Sequence, residues 1–361
     1  GTRRNDTNQV GDPGTQFDDQ SDDIPQKIYP KLYLNKLSAL FEERYPHPLL
    51  CSRFGIINVM PDHAHEGECK LPDDPTLTYE GEDEYPTVNG TRLLPEFIAF
   101  SPVPAGNDSG GSKSPTDAHS FPSICAYDGH LANVGRVVTD ATWHHFVNIN
   151  LIGDIGNPDP IKKSGFLASN QGVEALEKIK EYYINIGVWM SPESKIECFN
   201  RRLIWTAFNQ HRIVESSMLS MDLSIERVRV ETLFTIGTHA MDVIGKSATP
   251  CRRLKFLLEL VRPLIPNLVP NIDPWNPQFV FRKREGMPWV DLNPLLKIGL
   301  GAGILAIRDE ADSLQQMKSD ELEEKLSTVF LKGVEFGFSK ASKFMVSDLK
   351  KWATLLEKEC G

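Results

Sequence analysis

The stretch "FGIINVMPDHAHEGEC", residues 54–69, decides how the first half of the chain is read. Its opening run, 54–60, is short, apolar and rich in β-branched residues. That is the composition of a buried strand, covered on both faces. The rest of the stretch is dense in chemistry: Asp62, His63, His65, Glu66, Glu68 and Cys69 can each bind a metal or move a proton. In an extended segment His63 and His65 face the same way, as two ligands of one ion require. Asp62, Glu66 and Glu68 add hard oxygen donors. Imidazole with carboxylate suits a divalent transition metal, Zn, Fe or Mn. The competing reading is a polar loop at a strand end, with its histidines and glutamates bonded to backbone.

Working outward, similar short runs recur at "EFIAFSPV" (96–103), "SICAYD" (123–128) and "GRVVTDAT" (135–142), and "FVNINLIGD" (146–154) comes after them. The polar stretch 104–120 reads as a long exposed loop. The third run leads into "DATWHHFVN" (140–148), which carries Asp140, His144 and His145. Ligands in open α/β sheets bind at the carboxyl ends of strands. Both histidine motifs come directly after a strand-like run, so such a sheet would gather them at one edge. Adjacent histidines point apart in a strand, so one of His144 and His145 would face the site. His130, in "YDGH" (127–130), is isolated and reads as a loop residue.

Beyond about residue 165 the period changes. In "SNQGVEALEKIKEYYINIGVWM" (169–190), Val173, Leu176, Ile179, Tyr183 and Ile186 fall at helical spacing, and Ser169 or Asn170 can cap the start. Helical patterns continue over 193–212, 213–245, 251–263, 311–331 and 340–358. The Pro-rich segment 263–294 is expected to be extended. "GLGAG" (299–303) lacks the G-x-G-x-x-G spacing of a phosphate-binding turn and reads as close helix packing. Residues 1–24 have almost no apolar content, which marks a disordered leader or linker. The expected organisation is therefore a leader (1–24), an α/β segment (25–165) and a mostly helical region (166–361).

Two segments carry a family resemblance. "HPLLCSRFGIINVMPDHAHEGE" (47–68) and "GRVVTDATWHHF" (135–146) resemble the second half of a ThuA-like domain, of the class I glutamine amidotransferase-like superfamily. His47-Pro48 and Gly135-Arg136-Val137 hold the matching places, with His144 or His145 in the histidine position. The resemblance covers roughly residues 46–150 and implies a partial, doubly wound α/β sheet. It does not carry the superfamily's glutaminase activity. The nucleophile elbow belongs to the first half of that domain, and Cys51, Cys69 and Cys125 lack an elbow-like glycine context.

Composition narrows the rest. The chain has 361 residues, 40% hydrophobic and 24% charged, as in globular proteins. A formal net charge of -10 argues against a nucleic-acid partner. No apolar run reaches the ~20 residues of a membrane span. The six cysteines are scattered without a C-x-x-C pair and are expected to be reduced and mostly buried. The first residue is Gly, so a trimmed or processed chain is expected. Cytoplasmic location is the default, with secretion left open because the native N-terminus is missing. Two functions compete. One is metal-assisted hydrolysis of a small-molecule substrate, with His63, His65, His144, His145 and Asp62 as ligands and Glu66 or Glu68 as general base. The other is a non-catalytic scaffold that binds a protein partner.

Overall fold

The computed structural model describes residues 5–6, 26–35, 43–61, 64–65, 67–103, 105, 117–141, 151–158, 160–218, 223–266, 272–275, 291–315, 317 and 319–360. These fall into two compact units. One comprises the described residues within Gly1–Tyr33, Arg44–Ser191 and Trp275–Val280; the other those within Leu34–Glu43, Pro192–Pro274 and Phe281–Gly361.

The first unit is built on four strands: β1 (Tyr29–Pro30), β2 (Glu96–Val103), β3 (His119–Tyr127) and β4 (Val137–Asp140). Their order is β4-β3-β2-β1, and every pairing is antiparallel. The described strands therefore lack the doubly wound, parallel arrangement that the resemblance implies. For β3 and β4 the physical reason lies in their connection. A parallel crossover needs a dozen or more residues, usually a helix. Between Tyr127 and Val137 the chain has room only for a single 3₁₀ turn, His130–Ala132. Apolar runs alone do not encode pairing direction.

The run 54–60 differs too. Arg53 and Phe54 form a tight turn, Gly55 has φ +99°, and Gly55–Ile56 folds back on Cys51–Ser52. Val59–Met60 pairs instead with Gln26–Lys27. The expected strand is thus two short antiparallel pieces, and neither joins the four-stranded sheet. Of the expected loop 104–120, residues 104 and 106–116 lie outside the described residues, and His119–Ser120 begins β3. Of the leader, only Asn5–Asp6 is described; it pairs antiparallel with Ala64–His65.

One helix, α1 (Asn170–Trp189), covers one face of the sheet. Ser169 caps it: its hydroxyl accepts from the Gly172 amide at 2.9 Å. Ala175, Leu176, Ile179, Tyr182 and Trp189 pack with Ile28, Leu49, Leu50, Ile57, Met60, Ile98, Ala99, Ile124 and Ala126. The buried stripe steps 175/176, 179, 182, 186, 189, so Tyr182 faces the core while Val173 and Tyr183 are exposed. This places the apolar face about a quarter turn from the one the spacing predicts. Polar bonds fix the same helix. Asn185 donates to the carbonyls of Leu49 (3.1 Å) and Cys51 (2.8 Å), and Glu181 accepts from Arg53 Nε at 2.6 Å. Cys51 is disulfide-bonded, contrary to the expectation of reduced thiols; Cys69 and Cys125 are free.

The second unit is helical: α2 (Glu193–Phe208), α3 (Val230–Ser247), α4 (Pro250–Val261), α5 (Asn293–Asp309) and α6 (Ser319–Cys360), with short helices at His211–Met218 and Ala311–Gln315. Two expected helical stretches, 311–331 and 340–358, are for the most part pieces of the continuous α6. Thr249 caps α4, accepting from Arg252 N at 3.4 Å, with Pro250 in the first turn. Helix α5 is buried on nearly every side, from Leu296 through Ile307, as expected of the central member of a bundle. Its "GLGAG" is a packing surface: a Cβ on Gly301 would lie 2.0 Å from the Leu233 carbonyl oxygen of α3. Gly237 of α3 answers it, 1.7 Å from Lys297 O by the same construction. Asp273, almost wholly buried, is held by Lys255 at 3.0 Å and Arg262 at 3.8 Å. Cys251 is disulfide-bonded, and Cys198 is free. Most of the Pro-rich segment lies outside the described residues.

Candidate functional site

The carboxyl end of β4 is where the second histidine motif begins. Asp140 stands opposite Ile124 and Thr139 opposite Cys125. The Ala141 amide donates to Ser123 O at 2.7 Å and carries the ladder one residue further. Because strand side chains alternate, Asp140 faces α1 while Thr139 and Ala141 face the opposite side.

On the α1 side, Asp140 accepts a short hydrogen bond from the Tyr182 hydroxyl. Burial pushes the Asp140 carboxyl up to about 6, against the pull of that bond. Burial, reinforced by the neighbouring carboxylate, also drives the Tyr182 hydroxyl well above the usual phenol range. The pair ties sheet to helix. Asp140 is committed to Tyr182 and is turned away from the face that Thr139 and Ala141 share.

On the other side lies a small second cluster of Val103, Phe121 and Ala141, with Cys69 packed against it. The Cys69 amide donates to Pro122 O at 2.9 Å. Its sulfur sits 3.6 Å from Ser123 O, 3.6 Å from Thr139 O and 3.7 Å from Thr139 Oγ1. Two hydroxyls in this sheet, Ser101 Oγ and Ser123 Oγ, are fully buried and find no hydrogen-bond partner among the described residues. The last residue of "DHAHEGEC" is therefore in contact with the residue that precedes "DATWHHF".

Of the expected site residues, Asp62, His63, Glu66, His144 and His145 lie outside the described residues. The backbone of His65 is extended and pairs with Asn5. Glu68 is exposed. Among the described residues, no group of three or more His, Cys, Asp or Glu side chains could hold a metal ion. His130 opens a 3₁₀ turn, where its amide donates to Asp128 Oδ1 at 3.2 Å.

The two segments that carry the family resemblance also meet, through α1. Arg136 makes a bidentate bond to Asp128 (2.8 and 3.1 Å), donates to Trp189 O at 2.8 Å and lies 4.8 Å over the Trp189 ring. The same ring meets buried His47 edge-on at 5.4 Å, and His47 Nδ1 accepts from Leu49 N. Each of these polar contacts has a structural task.

Three residues that matter here were not assigned from sequence: Asp140, Cys69 and Tyr182. The first two sit inside the quoted motifs. The signal for Tyr182 would have been the corrected helical stripe.

No protein-family model matches the chain, and neither a curated protein nor a solved structure matches it. Among the described residues, no helix is long and apolar enough to cross a membrane.

Proposed function

We propose that the first unit carries a metal-assisted hydrolytic site on the sheet face opposite α1, where the two histidine motifs converge. One observation supports this reading: Cys69, which closes the first motif, touches Thr139, which leads into the second. The intervening segments are short, so His63 and His65 are tethered within a few residues of Cys69, and His144 and His145 within a few of Ala141. These histidines with Asp62 would hold a divalent transition metal, Zn, Fe or Mn. Bound there, the metal would supply an activated water, and Glu66 or exposed Glu68 would take its proton. From the ThuA-like resemblance the reading takes only the position of a histidine after the β4 strand. The test is metal content after purification without added metal, compared between wild type and His65→Ala. Stoichiometric metal that the variant lacks is the expected result. Absence of metal from both, with no thermal stabilisation by added Zn, Mn or Fe, would overturn the reading.

A second reading has its own observation. Beyond Ala341, helix α6 exposes Val346, Leu349, Trp352, Leu355 and Leu356, with Leu349 and Trp352 each more than 60% accessible. Contiguous exposed apolar surface marks interaction sites, which suits a scaffold with a protein partner. A photo-crosslinker at position 352 should then capture a partner that one at position 351 does not. Equal capture from both positions would count against it.

A further inference from the structure

The chemistry that the hydrolytic reading leaves unused is concentrated at two thiols. Cys125 lies on the central strand β3 and is nearly buried; Cys69 lies in an irregular segment and is partly accessible. They approach from different elements. Thr139 stands directly across from Cys125 in the β3–β4 ladder, and side chains opposite one another share a face, with Cβ atoms about 4.5–5.5 Å apart. The Cys69 sulfur rests 3.7 Å from the Thr139 hydroxyl and 3.6 Å from the carbonyl of Ser123, two residues before Cys125. Both cysteines therefore approach one residue, Thr139, and the nearby Cys69 thiol adds to the burial that raises Cys125. The Ser101 and Ser123 hydroxyls in this sheet are buried and have no partner among the described residues. Cys125 is held in the central strand, whereas Cys69 lies in the irregular segment 67–70, with its amide bonded to Pro122 O.

From this placement we infer that Cys69 and Cys125 are a dithiol pair that closes to a disulfide, stapling the tail of "DHAHEGEC" to the central strand. The oxidant is a small-molecule disulfide such as oxidised glutathione. Cys69, the more accessible thiol, loses its proton to solvent and attacks one sulfur of the oxidant. The oxidant's S–S bond breaks and one glutathione thiolate leaves. Cys125, deprotonated in turn, attacks Cys69 Sγ in the mixed disulfide and expels the second thiolate. The two thiolates take up the two protons released, so two electrons pass from the cysteine pair to the oxidant. Burial raises both thiols above the ordinary range, Cys125 to about 11. Exchange is therefore slow at neutral pH, and well below these values its rate should rise about tenfold per pH unit with the thiolate fraction. The inference does not depend on a metal site, and its test reads sulfur chemistry alone.

The experiment incubates the native full-length protein with oxidised glutathione across about pH 7 to 9, quenches with acid and blocks remaining thiols with N-ethylmaleimide. The products are mapped as unreduced peptides. The expected product is a peptide containing Cys69 linked to one containing Cys125, formed faster at higher pH. The Cys125→Ser variant should stop one step earlier, with a glutathionyl group on Cys69. That outcome is readable even if the variant is less stable, because Cys69 is partly exposed in the wild type. Two results would overturn the inference. One is a persistent glutathionyl adduct on Cys69 in the wild-type protein. The other is recovery of both cysteines as maleimide adducts at every pH.

Discussion

Replacing Asp140 by Asn tests the tie between sheet and helix through its dependence on pH. In the folded chain burial lifts the Asp140 carboxyl from its ordinary 3.8 to about 6. The gap corresponds to about 3 kcal/mol of differential stability between its protonated and ionised forms. The sign depends on which state holds the proton more tightly, here the folded one. Stability associated with the protonated carboxyl is complete below about pH 4 and is lost as pH rises through about 6. Above that, the fold carries a buried carboxylate supported, among the described residues, by the Tyr182 hydroxyl. Asparagine keeps an acceptor for Tyr182 and cannot ionise. Equilibrium urea unfolding of wild type and D140N should therefore agree within error near pH 4. They should diverge up to pH 7.5, where the variant becomes more stable by up to about 3 kcal/mol. All other titrating groups cancel in the difference. A difference that stays flat with pH, or a variant less stable at pH 7.5 than at pH 4 relative to wild type, would refute the burial argument.

Other parts of the molecule give further expectations. Tyr182→Phe removes the donor to Asp140, so it should destabilise the protein more at pH 7.5 than at pH 4, by about 1–3 kcal/mol for a lost bond to a charged group; equal losses at both pH values would be the wrong result. Arg136→Ala takes the bidentate charged partner from Asp128 and uncovers Trp189, for an expected loss of about 3 kcal/mol by urea unfolding, and Arg136→Lys should recover less than half of it. Gly301→Ala places a methyl against the Leu233 carbonyl and should cost the second unit about 1–3 kcal/mol or more, read by urea unfolding. Gly187→Ala, on the open side of α1 with nothing within 4 Å of the added carbon, should instead raise the melting temperature, by up to about 1 kcal/mol of helix propensity.

Legibility from sequence tracked the range over which each feature is determined. Helix α1 and its Ser169 cap are local, and both were readable from period and capping chemistry. The strand after Gly135 was readable for the same reason. Which face of α1 is buried was missed by one residue, because Tyr182 and Tyr183 are equally good candidates until the Asp140 carboxyl selects Tyr182. Strand direction was not readable, since the apolar runs look alike in parallel and antiparallel sheets, and the short link after Tyr127 decides only the β3–β4 pairing. The break in 54–60 was signalled by Gly55, although a single glycine inside a strand-like run does not say how sharply the chain turns. At the candidate site, the two motifs were found, but their point of contact, Cys69 on Thr139, joins residues 70 positions apart and has no local signature. The histidines themselves, apart from the backbone of His65, lie outside the described residues.

The segment around Ile28 has a consequence for how the chain is made. Gln26–Lys27 pairs with Val59–Met60, and Tyr29–Pro30 pairs with Ala99–Phe100. Ile28 and Lys31 donate in turn to Asn58 and Ile98, at 2.9 and 2.8 Å. This segment leaves the ribosome before either partner, and its second partner strand is synthesised about seventy residues later. At elongation rates of about 5–20 residues per second, that is a wait of several seconds or more with Ile28 and the neighbouring tyrosines unpaired. The β2–β3 hairpin can close as soon as its own strands emerge, because its contacts are closer in sequence. β1 is then added to a preformed edge. Nascent chains stalled before residue 96 should accordingly hold this segment open to proteases and chaperones, and chains stalled beyond residue 140 should protect it.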